Sequence, residues 1–234
     1  MSMPAAVLAV RSMQHHSRRP AHPTGVHAFS GTLEIMGAPM LFSRNEEIYG
    51  EGEAAEYLYK VVSGAVRMYK LLADGRRQIG AFYLPGDMFG FEPGDMHAAS
   101  AEAIGDATVL VFKRSAVLSL AARDSDVARR LWEMTARELG RSQKHALLLI
   151  LSAQERVASF LLEMATRSRA SSEIELPMSR QDIADYLGLS IETVSRTFTQ
   201  LVQSGAISLE TCRRIQFRNR AALRRLNANY ASSR

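Results

Sequence analysis

Two hydrophobic periodicities divide the chain. Between residues 31 and 113, short apolar or alternating runs are separated by recurring glycines, a pattern typical of short β-strands joined by tight turns. From residue 115 onward, apolar positions recur every three to five residues, as they do on amphipathic helices. The change of period predicts an α+β protein in which a β-sandwich or jelly-roll barrel, over residues 31–122, precedes the helices.

Two glycine-containing turns are predicted to join antiparallel strands inside this barrel. Ser63-Gly64 and Asp74-Gly75 each lie between alternating runs of apolar and polar residues. Glycine readily supplies the positive φ angle that two-residue hairpin turns require. We therefore expect a β-hairpin at both turns.

A long helix is predicted over residues 123–151. The apolar positions in its first half share a spacing of three to five residues and predict one face: Val127, Leu131, Met134 and Leu139. An apolar block at 146–151 follows. A helix of this length cannot be buried against a small barrel alone, so we expect it to pair with a second copy of the chain. The polar residues expected to interrupt a clean heptad seam are Glu138, Arg141 and His145.

Residues 152–225 carry the pattern of a winged helix-turn-helix domain. Capping boxes at 152–155 and 179–182 predict two helix starts, because the serine oxygen and the acidic side chain each accept a free backbone N–H. Gly188 predicts the sharp turn into a further helix. The alternating residues of 206–217 predict a two-stranded wing.

The helix after Gly188 carries residues that suit DNA bases. Its apolar positions share one predicted face: Ile191, Val194, Phe198 and Leu201. Glu192, Ser195 and Arg196 project from the opposite face. Arginine can donate two hydrogen bonds to guanine, and glutamate can accept one from cytosine. At a spacing of i,i+4 Glu192 can also brace Arg196, and the alternative interpretation is an ordinary solvated Glu–Arg pair.

The charge distribution favours a nucleic-acid partner. The chain carries a net charge of +5, and residues 152–234 contribute +4 of it, from twelve arginines and eight carboxylates. The planar guanidinium of arginine suits phosphates and guanine edges. Phosphate contacts are expected from residues at helix starts and on exposed helix faces: Ser179, Arg180, Gln181, Thr193 and Thr199.

Composition argues against several other classes of protein. No apolar run approaches the ~20 residues of a membrane-spanning helix, and the N-terminal stretch lacks the pattern of a signal peptide, so we expect a cytoplasmic protein without a membrane partner. The one cysteine, Cys212, excludes a disulfide framework and a cysteine-only metal site. Residues 1–30 and 226–234 are expected to be tails.

Four motifs together resemble one superfamily of regulators. They are 59–66 and 84–90 in the barrel, and 182–189 and 192–196 in the helical half. Over nearly all of residues 30–225 the chain is similar to the CRP/FNR superfamily, and most of all to its FixK branch. The resemblance implies a homodimer with a cyclic-nucleotide-binding-like barrel, which binds TTGA–N6–TCAA-like palindromic DNA through Glu192, Ser195 and Arg196 and contacts RNA polymerase. CRP itself has arginine at the position of Ile191 and glycine at that of Ser195.

The departures from the superfamily concern its ligands. Cyclic AMP binders have Gly-Glu where this chain has Gly90-Phe91, and Arg-Ser where it has Ala99-Ser100. Without that arginine a buried phosphate would lack its counter-charge, so we expect DNA binding without a cyclic nucleotide. An iron–sulfur cluster of the FNR type needs four thiolates, which one cysteine cannot supply. We therefore expect no cofactor, and a regulator rather than an enzyme.

Three further interpretations stay open. A haem or another small effector in the barrel, with His97 or His145 as axial ligand, would make the protein a sensor. A cupin-type metalloenzyme is more remote, because the sequence contains no His-x-His pair. Cys212 lies on the predicted wing beside two arginines, and is either a small semi-buried residue or a redox-sensitive thiol.

Overall fold

The protein folds into a β-barrel, a long helix and a helical domain with a small sheet, in this order along the chain. A computed structural model describes residues 36–168 and 172–226. The tail predicted at 1–30 lies outside the described residues, and so does the tail predicted at 226–234 apart from its first residue. The expected α+β class, with a jelly-roll barrel before a winged helix-turn-helix, is confirmed.

Two four-stranded antiparallel sheets form the barrel. The first has the order β1 (Ala38–Phe42), β8 (Ala107–Lys113), β3 (Tyr57–Ser63) and β6 (Met88–Phe89). The second has the order β2 (Glu47–Tyr49), β7 (Ser100–Ala103), β4 (Val66–Leu71) and β5 (Arg77–Tyr83). Inward-facing side chains from both sheets form one apolar core between them, as the alternating pattern predicts.

The hairpin predicted at Ser63-Gly64 is wrong. Strand β3 pairs with β6 and β8, whereas β4 pairs with β5 and β7, so this turn carries the chain from one sheet to the other. Either connection can use a glycine with positive φ, and only pairing with distant strands distinguishes them. The hairpin predicted at Asp74-Gly75 is confirmed, because β4 and β5 pair directly on either side of it.

Two helices follow the barrel: α1 (Arg114–Ala121) and α2 (Ser125–Leu148). Helix α2 is the predicted long helix, and Asp124 caps its start by accepting two backbone N–H bonds. Val127, Leu131 and Met134 pack towards the barrel and α1. The prediction that Leu139 shares their face is wrong: it is 58% exposed, because the step of five positions from Met134 turns the helix by about 140° beyond a full turn.

The helices and small sheet of the C-terminal domain share one apolar core with residues of the barrel, among them Ile79 and Phe82. The elements of the domain are α3 (Ala153–Arg167), β9 (Glu173–Glu175), α4 (Arg180–Leu187), α5 (Ile191–Gln203), β10 (Ile207–Leu209), β11 (Arg214–Phe217) and α6 (Arg220–Leu226). Both predicted capping boxes are present, at the starts of α3 and α4. The wing hairpin β10–β11 is also present, but β9 pairs with the other edge of β11, so the sheet has three strands rather than the predicted two.

Gly64→Ala should destabilise the protein more than Gly75→Ala. Both glycines have positive φ, 78° and 82°, so either alanine bears a left-handed penalty of about 1–2 kcal/mol. Only at Gly64 would the added Cβ meet backbone, 2.5 Å from the carbonyl oxygen of Asp106, whereas nothing lies within 4 Å at Gly75. We expect the free energy of unfolding in urea to fall by about 2 kcal/mol more for Gly64→Ala. Equal losses would contradict the close approach of this turn to the backbone.

Candidate nucleic-acid interface

Helices α4 and α5 form the helix-turn-helix. Gly188 joins them with a left-handed conformation (φ 61°), and its N–H donates to the carbonyl of Ala184. Ser190 caps the start of α5 by accepting the N–H of Thr193. The buried face of α5 consists of Val194, Thr197, Phe198 and Leu201. The prediction that Ile191 belongs to this face is wrong, since it is 37% exposed beside the candidate base-contacting residues.

The three predicted base-contacting residues share the exposed face of α5. Glu192, Ser195 and Arg196 are all exposed. Hydrogen bonds from its own backbone N–H and from the Ser190 hydroxyl lower the pKa of Glu192, which keeps it a charged acceptor. Arg196 Nη2 donates to Thr193 Oγ1 at 3.4 Å, and between described residues no ion pair joins it to Glu192. The predicted brace between the two side chains is therefore absent, and their contacts with bases stay predictions.

The residues predicted to contact phosphates differ in solvent exposure and in their hydrogen bonds within the protein. Thr199 and Gln181 are exposed, although each makes a hydrogen bond within its own helix. Thr193 is half-buried. The Ser179 hydroxyl is engaged twice, because it donates to Asp182 Oδ2 (2.7 Å) and accepts from the Asp182 N–H (3.1 Å). The contacts of these four residues with phosphates stay predictions.

Arg180 has a structural partner. Its Cζ lies 3.3 Å from the ring centroid of Phe198, so the guanidinium of α4 covers a core residue of α5. Burial lowers the pKa of Arg180 to about 10. Among the described residues, its buried Nη1 has no hydrogen-bond partner. This side chain therefore stabilises the packing of the two helices, and a phosphate contact would have to form at the edge of that stack.

The wing presents Cys212 at its tip. Cys212 is exposed in the turn between β10 and β11, so the interpretation of a semi-buried residue is wrong. The neighbouring Arg214 lies within 4.0 Å of carboxylates on both sides of the wing: Glu173 (3.1 Å), Glu210 (3.7 Å) and Glu175 (3.9 Å). Exposure is compatible with oxidation of Cys212, and its redox role stays a prediction.

The two histidines considered as haem ligands are packed against tyrosines. His145 Nε2 donates to the carbonyl of Tyr186 at 2.7 Å, and the two rings stack. His97 is buried, stacks on Tyr49 with centroids 3.6 Å apart, and places Nδ1 3.2 Å from Glu92 Oε1. Further buried rings fill the barrel interior beside Tyr49: Tyr59, Tyr83 and Phe89.

Helix α2 presents an exposed heptad seam that the sequence analysis missed. The α2 seam consists of Trp132, Ala136, Leu139, Gln143, Ala146 and, just beyond the helix end, Ile150. Trp132 is 74% exposed and Ile150 80% exposed. The alternating spacing of four and three residues from Trp132 was the signal that could have found it.

The residues expected to interrupt this seam lie on another face. Glu138 accepts from the Tyr83 hydroxyl at 2.9 Å, Arg141 donates to Asp87 at 2.6 Å, and His145 contacts Tyr186. All three side chains therefore contact other residues of their own chain. The expected interruption is wrong, because these three side chains lie on the face of α2 that contacts the barrel and α4.

Comparison with known proteins identifies the family. The Crp-like helix-turn-helix domain matches residues 155–226, and the cyclic nucleotide-binding domain matches residues 39–124. The nitrogen fixation regulation protein FixK of Azorhizobium caulinodans is 51% identical, over 84% of this chain and 82% of its own. The chain belongs to the CRP/FNR family of transcription regulators.

Two further relatives agree with this assignment. The transcriptional activatory protein AadR of Rhodopseudomonas palustris is 44% identical, over 72% of this chain and 73% of its own. The structure of FixK2 from Bradyrhizobium japonicum matches with a TM-score of 0.79 and 53% identity, covering 82% of this chain and 97% of that one. This CRP/FNR protein is a DNA-binding regulator and not an enzyme, so the cupin-type alternative is wrong. No helix among residues 36–168 and 172–226 is long and apolar enough to cross a membrane.

Arg180→Ala should destabilise the C-terminal domain, whereas Gln181→Ala should not. A desolvated cation–π contact is worth about 2 kcal/mol, and the alanine variant loses it together with the arginine stem that covers Phe198. Gln181 is the adjacent exposed residue and contacts Asp185 of its own helix, so its removal should change stability by less than about 0.5 kcal/mol. Urea unfolding of both variants tests this, and equal stabilities would contradict a structural role for Arg180.

Proposed function

We propose that this protein is a dimeric transcription activator that binds TTGA–N6–TCAA-like palindromes without a cyclic nucleotide. The observation that carries the proposal is the exposed face formed by Glu192, Ser195 and Arg196 on the second helix of the helix-turn-helix. The FixK branch uses this trio for such palindromes, and FixK of A. caulinodans shares half of the aligned residues with this chain. The site of action is the cytoplasm, where the DNA and RNA polymerase of a bacterium are found.

Activation is supported by the relatives, and polymerase contact by the resemblance. AadR is named a transcriptional activatory protein and aligns with most of this chain. Activators of the superfamily contact RNA polymerase through barrel loops and the surface beside the wing. We expect the same surfaces to serve in this protein, while residues at the starts and exposed faces of α4 and α5 contact phosphates.

The α2 seam supports the dimer. An apolar seam with Trp132 and Leu139 exposed to water is stabilised when a second copy covers it. Parallel pairing of two α2 helices would place the two α5 helices on one side of the dimer. Half-sites one helical turn apart, about 34 Å, then match the two-fold symmetry of a palindrome.

Packing of the barrel interior supports independence from a cyclic nucleotide. His97, Tyr49 and the neighbouring aromatic rings are buried between the two sheets, where they contact one another. Phe91 and Ala99 stand where cyclic AMP binders have the glutamate and the phosphate-binding arginine. We expect affinity for a TTGA–N6–TCAA duplex, measured by gel shift, to be unchanged by millimolar cyclic AMP. A tenfold tightening, or a Soret band on adding haem, would favour the effector-sensing alternative.

Arg196→Ala should weaken binding and relax sequence preference at one base pair. Loss of a bidentate arginine–guanine contact costs about 1–3 kcal/mol per half-site. The measurement is a titration of wild type and variant against the consensus duplex and one with its G·C pairs changed to A·T. The variant should discriminate less between the two duplexes than wild type does.

Gln203→Ala is the matched control for Arg196→Ala. Gln203 is the last residue of the same helix, two turns from Arg196, and its side chain is exposed. Its replacement should leave the G·C preference unchanged. If Arg196→Ala bound the consensus duplex as tightly as wild type does, α5 would be wrongly assigned as the base-contacting helix.

Leu139→Glu should dissociate the dimer, whereas Leu118→Glu should not. The two leucines are almost equally exposed, 58% and 56%, but only Leu139 belongs to the α2 seam. Two carboxylates facing each other in an apolar seam would be desolvated and would repel each other, so we expect at least a tenfold rise in the dimer dissociation constant. Sedimentation equilibrium of both variants checks this, and an equal effect of the two substitutions would argue against the seam as the interface.

A further inference from the structure

We propose that Arg77 of the barrel positions the helix-turn-helix so that the dimer selects palindromes of one spacing. This inference rests on the proposed function, since it concerns how two α5 helices reach two half-sites. The residues that carry it are a set on the barrel (Arg67, Arg77 and Gln78) and a set on α4 (Asp182 and Asp185), together called the α4 contact.

The carboxylates of α4 are held by barrel arginines. Asp182 is 3% exposed, and its Oδ1 accepts from Arg67 Nη1 (3.0 Å) and Arg77 Nη2 (2.7 Å). Arg77 Nε also donates to Asp185 Oδ2 at 2.8 Å, so one guanidinium joins two carboxylates on neighbouring turns of α4. Burial alone would raise the pKa of Asp182, but hydrogen bonds from Ser179 and the two arginine charges lower it. The carboxylate is therefore charged, and its burial requires these partners.

The C-terminal end of α4 is held by the rest of the chain. The last four carbonyls of a helix have no partner within the helix. Three of those in α4 accept side-chain bonds from three other elements: Asp185 from Gln78 of β5 (2.7 Å), Tyr186 from His145 of α2 (2.7 Å) and Leu187 from Arg156 of α3 (2.8 Å). The position of this helix is thus defined by the barrel and α2 as well as by its own domain.

A second polar contact joins the barrel to α3 of the C-terminal domain. Asp87, in the turn before β6, accepts from Arg141 of α2 and from Arg167 of α3, each at 2.6 Å. The barrel therefore holds the C-terminal domain at two different helices, α3 and α4. Two separate contacts define an orientation as well as a position. Because α5 packs on α4, its direction relative to α2 follows from them.

These contacts leave the functional surfaces free. The trio on α5 and the α2 seam are both exposed to solvent while the α4 contact is formed. The arrangement is therefore compatible with dimerisation and with DNA binding at the same time. A domain held in a binding-competent orientation needs no ligand to order it, and it should discriminate against half-sites at another separation.

Arg77→Ala tests the proposal through spacer discrimination. Wild type and variant are titrated with duplexes that carry the two half-sites separated by five, six or seven base pairs. Wild type should bind the six-base-pair spacer at least tenfold more tightly than the other two. Arg77→Ala should bind that duplex about tenfold more weakly and lose most of the preference. A merely structural role would lower the active fraction equally for all three duplexes and leave the ratios unchanged.

Two further variants provide a matched control and a second substitution at the α4 contact. Arg76→Ala is the matched control, because Arg76 is the exposed neighbour and pairs with Asp74 inside its own hairpin. It should behave as wild type. Asp185→Ala removes the bond between Arg77 and Asp185, and it leaves both the capping box of Ser179 and Asp182 and the bond between Arg77 and Asp182 intact. It should therefore change the ratios in the same direction as Arg77→Ala, and by less. If Arg77→Ala fails to fold, Asp185→Ala carries the test.

A double variant and the behaviour of wild type distinguish the remaining outcomes. Arg77→Ala combined with Asp185→Ala should be little worse than Arg77→Ala alone, because Arg77→Ala already removes the bond to Asp185. A wild type that binds none of the three duplexes would overturn the proposed function, and the positioning role with it. A wild type that binds all three equally, or that discriminates no better than Arg77→Ala and Asp185→Ala, would overturn the positioning role and leave DNA binding in place.

Discussion

The eight-residue helix α4 cannot hold its own position, and the arrangement of the protein depends on the groups that hold it. A helix this short is marginal alone, and both of its ends leave backbone groups without partners. The capping box of Ser179 and Asp182 satisfies the start, and side chains from β5, α2 and α3 satisfy the end. Since α5 packs on α4, the direction of the second helix of the helix-turn-helix follows from residues outside that helix.

Helix α2 has a polar face that contacts its own chain and an apolar face that is exposed to water. Glu138, Arg141 and His145 make polar contacts to the barrel and to α4, and they fix the helix on its own chain. The face that carries Trp132 and Leu139 is apolar and open to water. A helix fixed by polar contacts on one side can present an apolar seam on the other without being drawn into the core.

The barrel interior is connected to this helix through aromatic packing. The rings of Tyr83 and Phe89 stack with centroids 4.8 Å apart, and the Tyr83 hydroxyl donates to Glu138 at 2.9 Å. Glu138 in turn pairs with Arg141, which binds Asp87 of the barrel turn. Protein side chains thus link the barrel core to α2 and to the DNA-binding domain.

The sequence by itself determined the features whose physical cause lies within a few residues. Both capping boxes, the left-handed turn at Gly188 and the exposed trio on α5 follow from local hydrogen bonding and the helical period. Only the tertiary structure decided that Ser63-Gly64 joins two sheets, that β9 completes the wing, and that the polar residues of α2 turn towards the barrel. The same holds for Arg67, which in a strand resembles a solvated residue but is buried against Asp182, 115 positions later. A local sequence pattern cannot predict such a pair, because the two side chains become buried only once the barrel and the DNA-binding domain have come together.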